Sequence, residues 1–410
     1  MDIQPRCYDK VVQLISQGVD IPNPLTIDIG DDVDVGNISG NDVRIYPGSR
    51  IYGDKTVISS GARIGYEGPA TIDNCQLASR VELKGGYFNG SVFLEKASMG
   101  LGAHVREGSI LEEEASGAHC VGIKQTVLFP FVTLGSLINF CDCLMAGGTS
   151  RKDHSEVGSS YIHFNFTPDG DKTTPSLIGD VPRGVMLRER PIFLGGQGGM
   201  VGPVRMGYGN VVAANSVIRN DYMAENKLII GKTHPAMTID IKRHDYPGLS
   251  RIIENNTVYV SNLLALRQWY LYVRRPFIEK QEFGGLIFSG VLEKLSLAME
   301  ERLKRLKMLA EKARNPSARD AAGRSELYGR FPEIEAAFSS GPDDEAVGAS
   351  RDRFLAGFHK ETGSGGVPYI EAVRALKTET CAAGVEWLQK VVDEHCARVR
   401  AVVPSLRIFR

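Results

Sequence analysis

The chain has 410 residues, with 48 basic and 49 acidic side chains, a net charge of −1, and 42% hydrophobic and 24% charged residues. That length holds two or three domains with a sizeable core, and the even charge argues against a general binder of nucleic acid, since no excess positive field exists to release counterions. No apolar run reaches the roughly 18 residues of a membrane span, MDIQPRCYDK lacks a signal-peptide layout, and seven scattered Cys read as the reduced thiols of a cytoplasmic protein.

In chain order, KVVQLISQGVDIPNP comes first. Val11, Leu14 and Ile15 share a helical face, Gly18 closes the helix, and Pro22 and Pro24 follow. Residues 1–24 therefore read as a cap and linker over the open end of the next unit. Glycine then marks a division, since 32 of the 45 lie in residues 1–232. Leu194, Met200, Met206, Val212 and Ile218 recur every six residues. So do Ile45, Ile51 and Val57; Met99, Val105 and Leu111; and Leu128 and Leu134. A heptad or a helix does not fit this spacing, and a β-sandwich needs longer alternating strands. The period is that of a hexapeptide β-solenoid, a left-handed parallel β-helix of about 18 residues per coil, expected over residues 25–232. Residues 66–76, 85–91 and 145–156 break the count and are expected to project as loops, GGTSRKDHSE being the most polar.

Residues 18 apart stack in such a fold, so Arg106 and Lys124 form a basic ladder suited to a phosphate. Asp142 is either its counter-ion or slipped in register. His163 and Asn165 alternate on a strand and are expected to share a face. With Lys172 beyond the TPDGD turn, they suit a polar ligand or a satisfied turn network. Cys141 and Cys143 read as core or coil-face thiols, and no second pair stands at zinc spacing. No Gly-rich nucleotide loop follows a strand, so no uridyltransferase domain is expected.

From 250 to 410 the chain reads as an all-α domain. Leu263, Leu264, Leu266, Trp269, Tyr270 and Tyr272 give it surface to dock. Leu292, Leu295, Met299, Leu303, Leu306 and Leu309 form an amphipathic helix ended by Pro316. Further helices are expected near 319–338, 346–360 and 368–400.

The segments REGSILEEEASGAHCVGIKQTVL, HFNFTPDGDKTT, LIGD, GGMVGPVRMGYGNVVAANSVIRND and AENKL, with the QGVDIPNP exit, cover roughly half the chain. This half resembles the acetyltransferase part of the bacterial bifunctional UDP-N-acetylglucosamine pyrophosphorylase / glucosamine-1-phosphate N-acetyltransferase, a hexapeptide-repeat transferase. The resemblance implies that Arg106, Lys124, Asn165 and Lys172 hold a sugar phosphate. It places Gly196, Ala214 and Lys232 by acetyl-CoA and implies a homotrimer. Two positions depart from the family. Ser136 stands where it has its catalytic His, and Asn139 where it has a substrate-binding Tyr. Serine has no basic nitrogen to take a proton near pH 7, so His119, His154 and His163 are the alternative bases.

The reading is a sugar-phosphate or nucleotide-sugar acyltransferase with a relocated base, using acetyl-CoA and no metal. The alternative is a non-catalytic binding or scaffold protein that kept the pocket. Neither nucleic acid nor membrane is an expected partner.

Overall fold

Leu194, Met200, Met206, Val212 and Ile218 are all buried, on strands that occupy three faces in rotation. This computed structural model describes residues 4–231, 235–240, 242–315, 320–363 and 366–409. Each coil lays one short strand on each face. Among the described residues, face A has 10 strands from Arg44–Ile45 to Leu228–Ile229. Face B has 10 from Asp28–Ile29 to Val217–Ile218, and face C has 8 from Val57–Ile58 to Arg205–Met206. The strands pair in parallel, coil on coil. The β-solenoid followed by helices is the architecture read from the six-residue period.

The core is a set of inward columns. On face A, Leu83, Met99, Gly117, Leu134, Val157, Leu194, Val212 and Ile229 stack in register. Each fully buried Leu or Ile contributes about 1.5–3 kcal/mol. The corners carry the strain. Between faces C and A the chain turns on Gly61, Arg80, Lys96, Glu114 and Phe131, all at φ from 58° to 74°. A non-glycine residue there costs of order 1–3 kcal/mol, which the columns on either side offset.

Two expected loops are strands. Ala70–Asp73 and Gly86–Asn89 run along face B, because Ala70, Ile72 and Phe88 keep their inward positions. The residues that break the count lie in the corners before them. Of residues 145–156, all but the two end residues do leave the faces, between Cys143–Met145 and Glu156–Val157. Helix α1 (Tyr8–Gln17) ends on Gly18 at φ 107°. Its buried face runs through Cys7, Val11 and Leu14, a helical spacing that leaves Ile15 43% exposed rather than inward. Lys232 and Pro316 lie outside the described residues.

Helix α2 (Val181–Gly184) interrupts the late coils. The helical region holds α3 (Leu249–Trp269), α4 (Arg275–Ile278), α5 (Gly284–Lys312), α6 (Ala321–Gly329), α7 (Phe331–Ser339), α8 (Asp344–Thr362), α9 (Tyr369–Arg374) and α10 (Thr378–Val402). It docks on face C. Helix α5 packs on the strands Gln76–Leu77 and Val92–Phe93, and α3 packs on Ser176–Ile178. Contact is close enough that a Cβ on Gly290 would stand 2.3 Å from Gln76 Oε1.

A π-helical turn, Tyr270–Arg274, joins α3 to α4 and turns both of its end residues onto the solenoid. There Arg274 Nη1 lies 3.1 Å from Glu112 Oε2, Nη2 pairs with Glu113, and the Tyr270 hydroxyl donates to Glu112. Leu295, Leu306 and Leu309 of the amphipathic stripe are buried, and Leu292, Met299 and Leu303 partly so. The stripe is internal packing. Trp269 and Tyr270 are buried as well, while Tyr272 stays 39% exposed.

Candidate functional site

Face B sets the site, because both of its edges carry chemistry. Where its strands leave toward face C, Arg106 follows Ala103–Val105 and Lys124 follows Val121–Ile123. The register Val105 to Ile123 stacks the two cations on adjacent coils. The next coil is one residue shorter, pairing Gly122 with Asn139. Cys141 therefore sits above Lys124, and Asp142 has slipped off the ladder.

Asp142 serves a different network. Its Oδ1 accepts from Arg302 Nη2 of α5 at 2.8 Å, and its Oδ2 accepts from Asn165 Nδ2 at 3.1 Å. Thr174 Oγ1 donates to Asn165 Oδ1, so both ends of the Asn165 amide are held by protein. Lys124 pairs with Glu107. Arg106 donates from Nη2 to Cys141 Sγ at 3.8 Å, and Cys141 Sγ donates to Asn139 Oδ1 at 3.1 Å. Burial pushes the Cys141 thiol up, with the Asp142 charge adding to it, so the sulfur stays protonated.

These side chains enclose a cavity of about 330 Å³ lined by Arg106, Lys124, Asn139, Asp142, His163, Asn165 and Lys172. The helical region supplies Glu301, Arg302 and Arg305 as the opposite wall. The structure thus brings together Arg106, Lys124, Asn139, Asn165 and Lys172. The α5 residues were not singled out in the sequence, yet a signal was there. Leu295, Met299, Arg302, Leu306 and Leu309 step by four, three, four and three, so Arg302 occupies an apolar position of the stripe. A buried Arg needs a partner, and Arg302 has Asp142. Larger cavities, of about 530, 540 and 620 Å³, hold none of the expected residues.

The other edge of face B is its corner with face A. Ser136 and His119 lie there on adjacent coils, 17 positions apart, with Ser136 Oγ 2.8 Å from His119 Nδ1. Strand register places Ser159, Gly196 and Ala214 in the same column above Ser136. Coils pack tightly here. A Cβ on Gly196 would stand 2.7 Å from Ser159 O, so only a residue without one fits.

The other two histidines are elsewhere. His154 lies in the excursion between faces C and A, away from Ser136, and burial, followed by the charge of Arg151, holds its pKa down. His163 does not share a face with Asn165. It points into the solenoid, 4% exposed, while Asn165 lies beyond the strand end and is exposed. Its Nε2 lies 2.8 Å from Ser176 Oγ, and burial pushes its pKa down to about 4. Among the described residues, no cluster of His, Cys, Asp and Glu is placed to hold a metal ion, and no helix is long and apolar enough to cross a membrane.

No family model matches the chain. The bifunctional protein GlmU of Thermotoga maritima is 30% identical over 213 residues, which is 52% of this chain and 42% of that protein. GlmU of Staphylococcus haemolyticus is 28% identical over 215 residues, again 52% and 42%. The chain thus spans about two fifths of the length of these relatives. Among solved structures, a UDP-N-acetylglucosamine acyltransferase from Campylobacter jejuni has 13% identity, covers 50% of this chain and 67% of its own, and superposes with a TM-score of 0.17. Over its solenoid half the chain is similar to bifunctional GlmU proteins, and the resemblance to their acetyltransferase part stands.

Proposed function

We propose that the protein transfers an acyl group from acyl-CoA, acetyl-CoA being the donor implied, to the amine of a sugar phosphate or nucleotide sugar. The observation that carries this reading is the gathering of Arg106, Lys124, Asn139, Asn165 and Lys172 around one cavity at one edge of face B. The Ser136–His119 pair stands at the other edge. Arg106, Lys124 and Lys172 hold the phosphate, with Asn139 on the face between. Asn165 acts indirectly, by fixing Asp142 and through it Arg302.

His119 takes the place of the family's base. It lies one coil below, its Nδ1 within a hydrogen bond of the Ser136 side chain that occupies the family position. A base pKa near 4 makes His163 a poor proton acceptor at neutral pH. Bound acyl-CoA supplies the thioester, and the column of Ser159, Gly196 and Ala214, with Lys232, is where we place it. A homotrimer and a cytoplasmic setting belong to the same proposal. Exposed Phe193, Val211 and Leu228 on face A supply apolar surface for a second copy, and seven unbridged Cys suit a reducing compartment.

A second reading, a sugar-phosphate binding protein without catalysis, draws on Ser136 lacking a basic nitrogen and on the Lys124–Glu107 pair. Calorimetry with acetyl-CoA and turnover of glucosamine-1-phosphate separate the two. The acyltransferase binds acetyl-CoA and loses turnover in His119→Ala but not in His154→Ala. Absence of acetyl-CoA binding at high micromolar concentration, with sugar phosphate still bound, would leave only the second.

A further inference from the structure

We propose that Ser136 is the nucleophile of the transfer, forming an acyl ester on this chain before the acceptor is acylated. The inference rests on the acyltransferase reading above and goes beyond it. There the base works directly on the acceptor, whereas here the acyl group stops on the protein.

Neighbouring coils are spaced by about 4.8 Å, so side chains at paired corner positions meet. His119 and Ser136 are such a pair, and Ser136 Oγ stands 2.8 Å from His119 Nδ1. A hydroxyl bonded to an imidazole nitrogen is the minimal activated nucleophile. Serine alone is inert near pH 7, and its Oγ gains nucleophilicity only by giving up its proton as it attacks. The neutral His119 tautomer with its proton on Nε2 leaves Nδ1 free to accept.

Two further features of this corner suit a thioester at this hydroxyl. Ser136 stands in the same column as Gly196 and Ala214, where the donor is proposed to lie. One coil above, the Ser159 N–H has no acceptor among the described residues, while Ser159 Oγ accepts from Ser136 N at 3.1 Å. Corner N–H groups without an acceptor recur along this column, at His119, Ser159, Gly196 and Ala214, and such groups can donate to an oxyanion.

Ser136 Oγ bonds to the thioester carbonyl carbon while its proton passes to His119 Nδ1. The C–S bond breaks, and the departing CoA sulfur takes that proton, leaving an acyl-Ser136 ester and neutral His119. The acceptor amine then attacks the ester carbonyl and yields its proton to His119. The C–O bond breaks, and Ser136 Oγ recovers the proton. No oxidant, reductant or metal enters.

The test uses the full chain and acetyl-CoA labelled in the acetyl group, with rapid acid quench, peptide mapping and a parallel assay of CoA release. The expected result is one acetyl group on Ser136, released as the acceptor glucosamine-1-phosphate is added, with a burst of CoA matching the enzyme concentration. Ser136→Ala carries no label, and His119→Asn slows labelling by roughly 10²–10⁴-fold. Ser136→Cys traps the acetyl group as a hydroxylamine-sensitive thioester. Exposed Cys120, next to His119, is the internal control, and label confined to it overturns the inference. A wild-type chain that acetylates the acceptor with no ester, and a Ser136→Ala variant that keeps full turnover, overturn it as well and leave the acyltransferase reading standing. A chain that neither binds nor consumes acetyl-CoA overturns both.

Discussion

Arg302 of α5 donates to Asp142 of the solenoid over 2.8 Å, and both side chains are buried. The pair ties the helical region to the one corner where the expected phosphate-binding residues gather. Arg302→Met leaves Asp142 charged in a buried place with Asn165 as its remaining donor, and we expect a loss of about 3 kcal/mol in urea unfolding. Adding Asp142→Asn to Arg302→Met removes the orphaned charge and should recover most of it. Equal loss in the single and double variants would mean that packing, rather than charge, holds this contact.

The Glu112–Glu113–Arg274 cluster makes stability depend on pH. Burial raises the Glu112 pKa from 4.5 to about 7 against the pull of Arg274. The folded chain therefore holds a proton there more tightly than the unfolded chain does. The stability from this group is fully present below about pH 4.5 and is lost as the pH rises through about 7. Glu112→Gln keeps an acceptor for the Tyr270 hydroxyl and leaves Glu113 on Arg274. Its melting temperature should match wild type at pH 5 and exceed it at pH 8, as scanning calorimetry at the two pH values would show.

Arg106 and Lys124 should differ as phosphate ligands. Among the described residues Arg106 makes no ion pair, whereas Lys124 is paired with Glu107. Arg106→Ala should weaken sugar-phosphate binding by about 2 kcal/mol, the scale of a charged hydrogen bond, and Lys124→Ala by less. Glu107→Gln releases Lys124 and should tighten binding by under about 1 kcal/mol. Titration calorimetry with a sugar phosphate ranks the three.

His163 should leave no mark on the pH dependence of turnover. With its pKa near 4 it is neutral throughout the neutral range. The acid limb of the rate profile should hold its position in His163→Asn, even though loss of the Ser176 contact lowers the melting temperature. A limb that moves in this variant would make His163 the working base.

The solenoid was legible because each face admits one inward side chain per hexapeptide, which forces an apolar residue every sixth place. Corners obey no such rule. The coil after Lys124 is one residue short, and that alone moved Asp142 from the ladder to Arg302. The same shortening stacks His119 directly on Ser136, where counting by 18 sets it one coil below and one residue off. His163 departs from the expected shared face for a related reason. Alternation along Ile162–Phe164 sends it inward, while Asn165 belongs to the corner rather than the strand. The α5 wall was partly written in the sequence, as an Arg within an apolar stripe. The partner of that Arg, 160 residues away, was not.

Helix α5 also fixes how many coils the solenoid holds beneath it. From Gly290, which rests on Gln76, to Arg302, which grips Asp142, the helix climbs twelve residues, about 18 Å. On face C the strands step from Gln76 through Val92, Ile110 and Val127 to Leu144, four coils and about 19 Å. The two lengths agree, so the helix works as a gauge laid along the stack. Elsewhere a solenoid tolerates a repeat gained or lost, but between Gln76 and Asp142 one added coil would carry the carboxylate nearly 5 Å past its guanidinium. That stretch of an otherwise extensible fold has a set length.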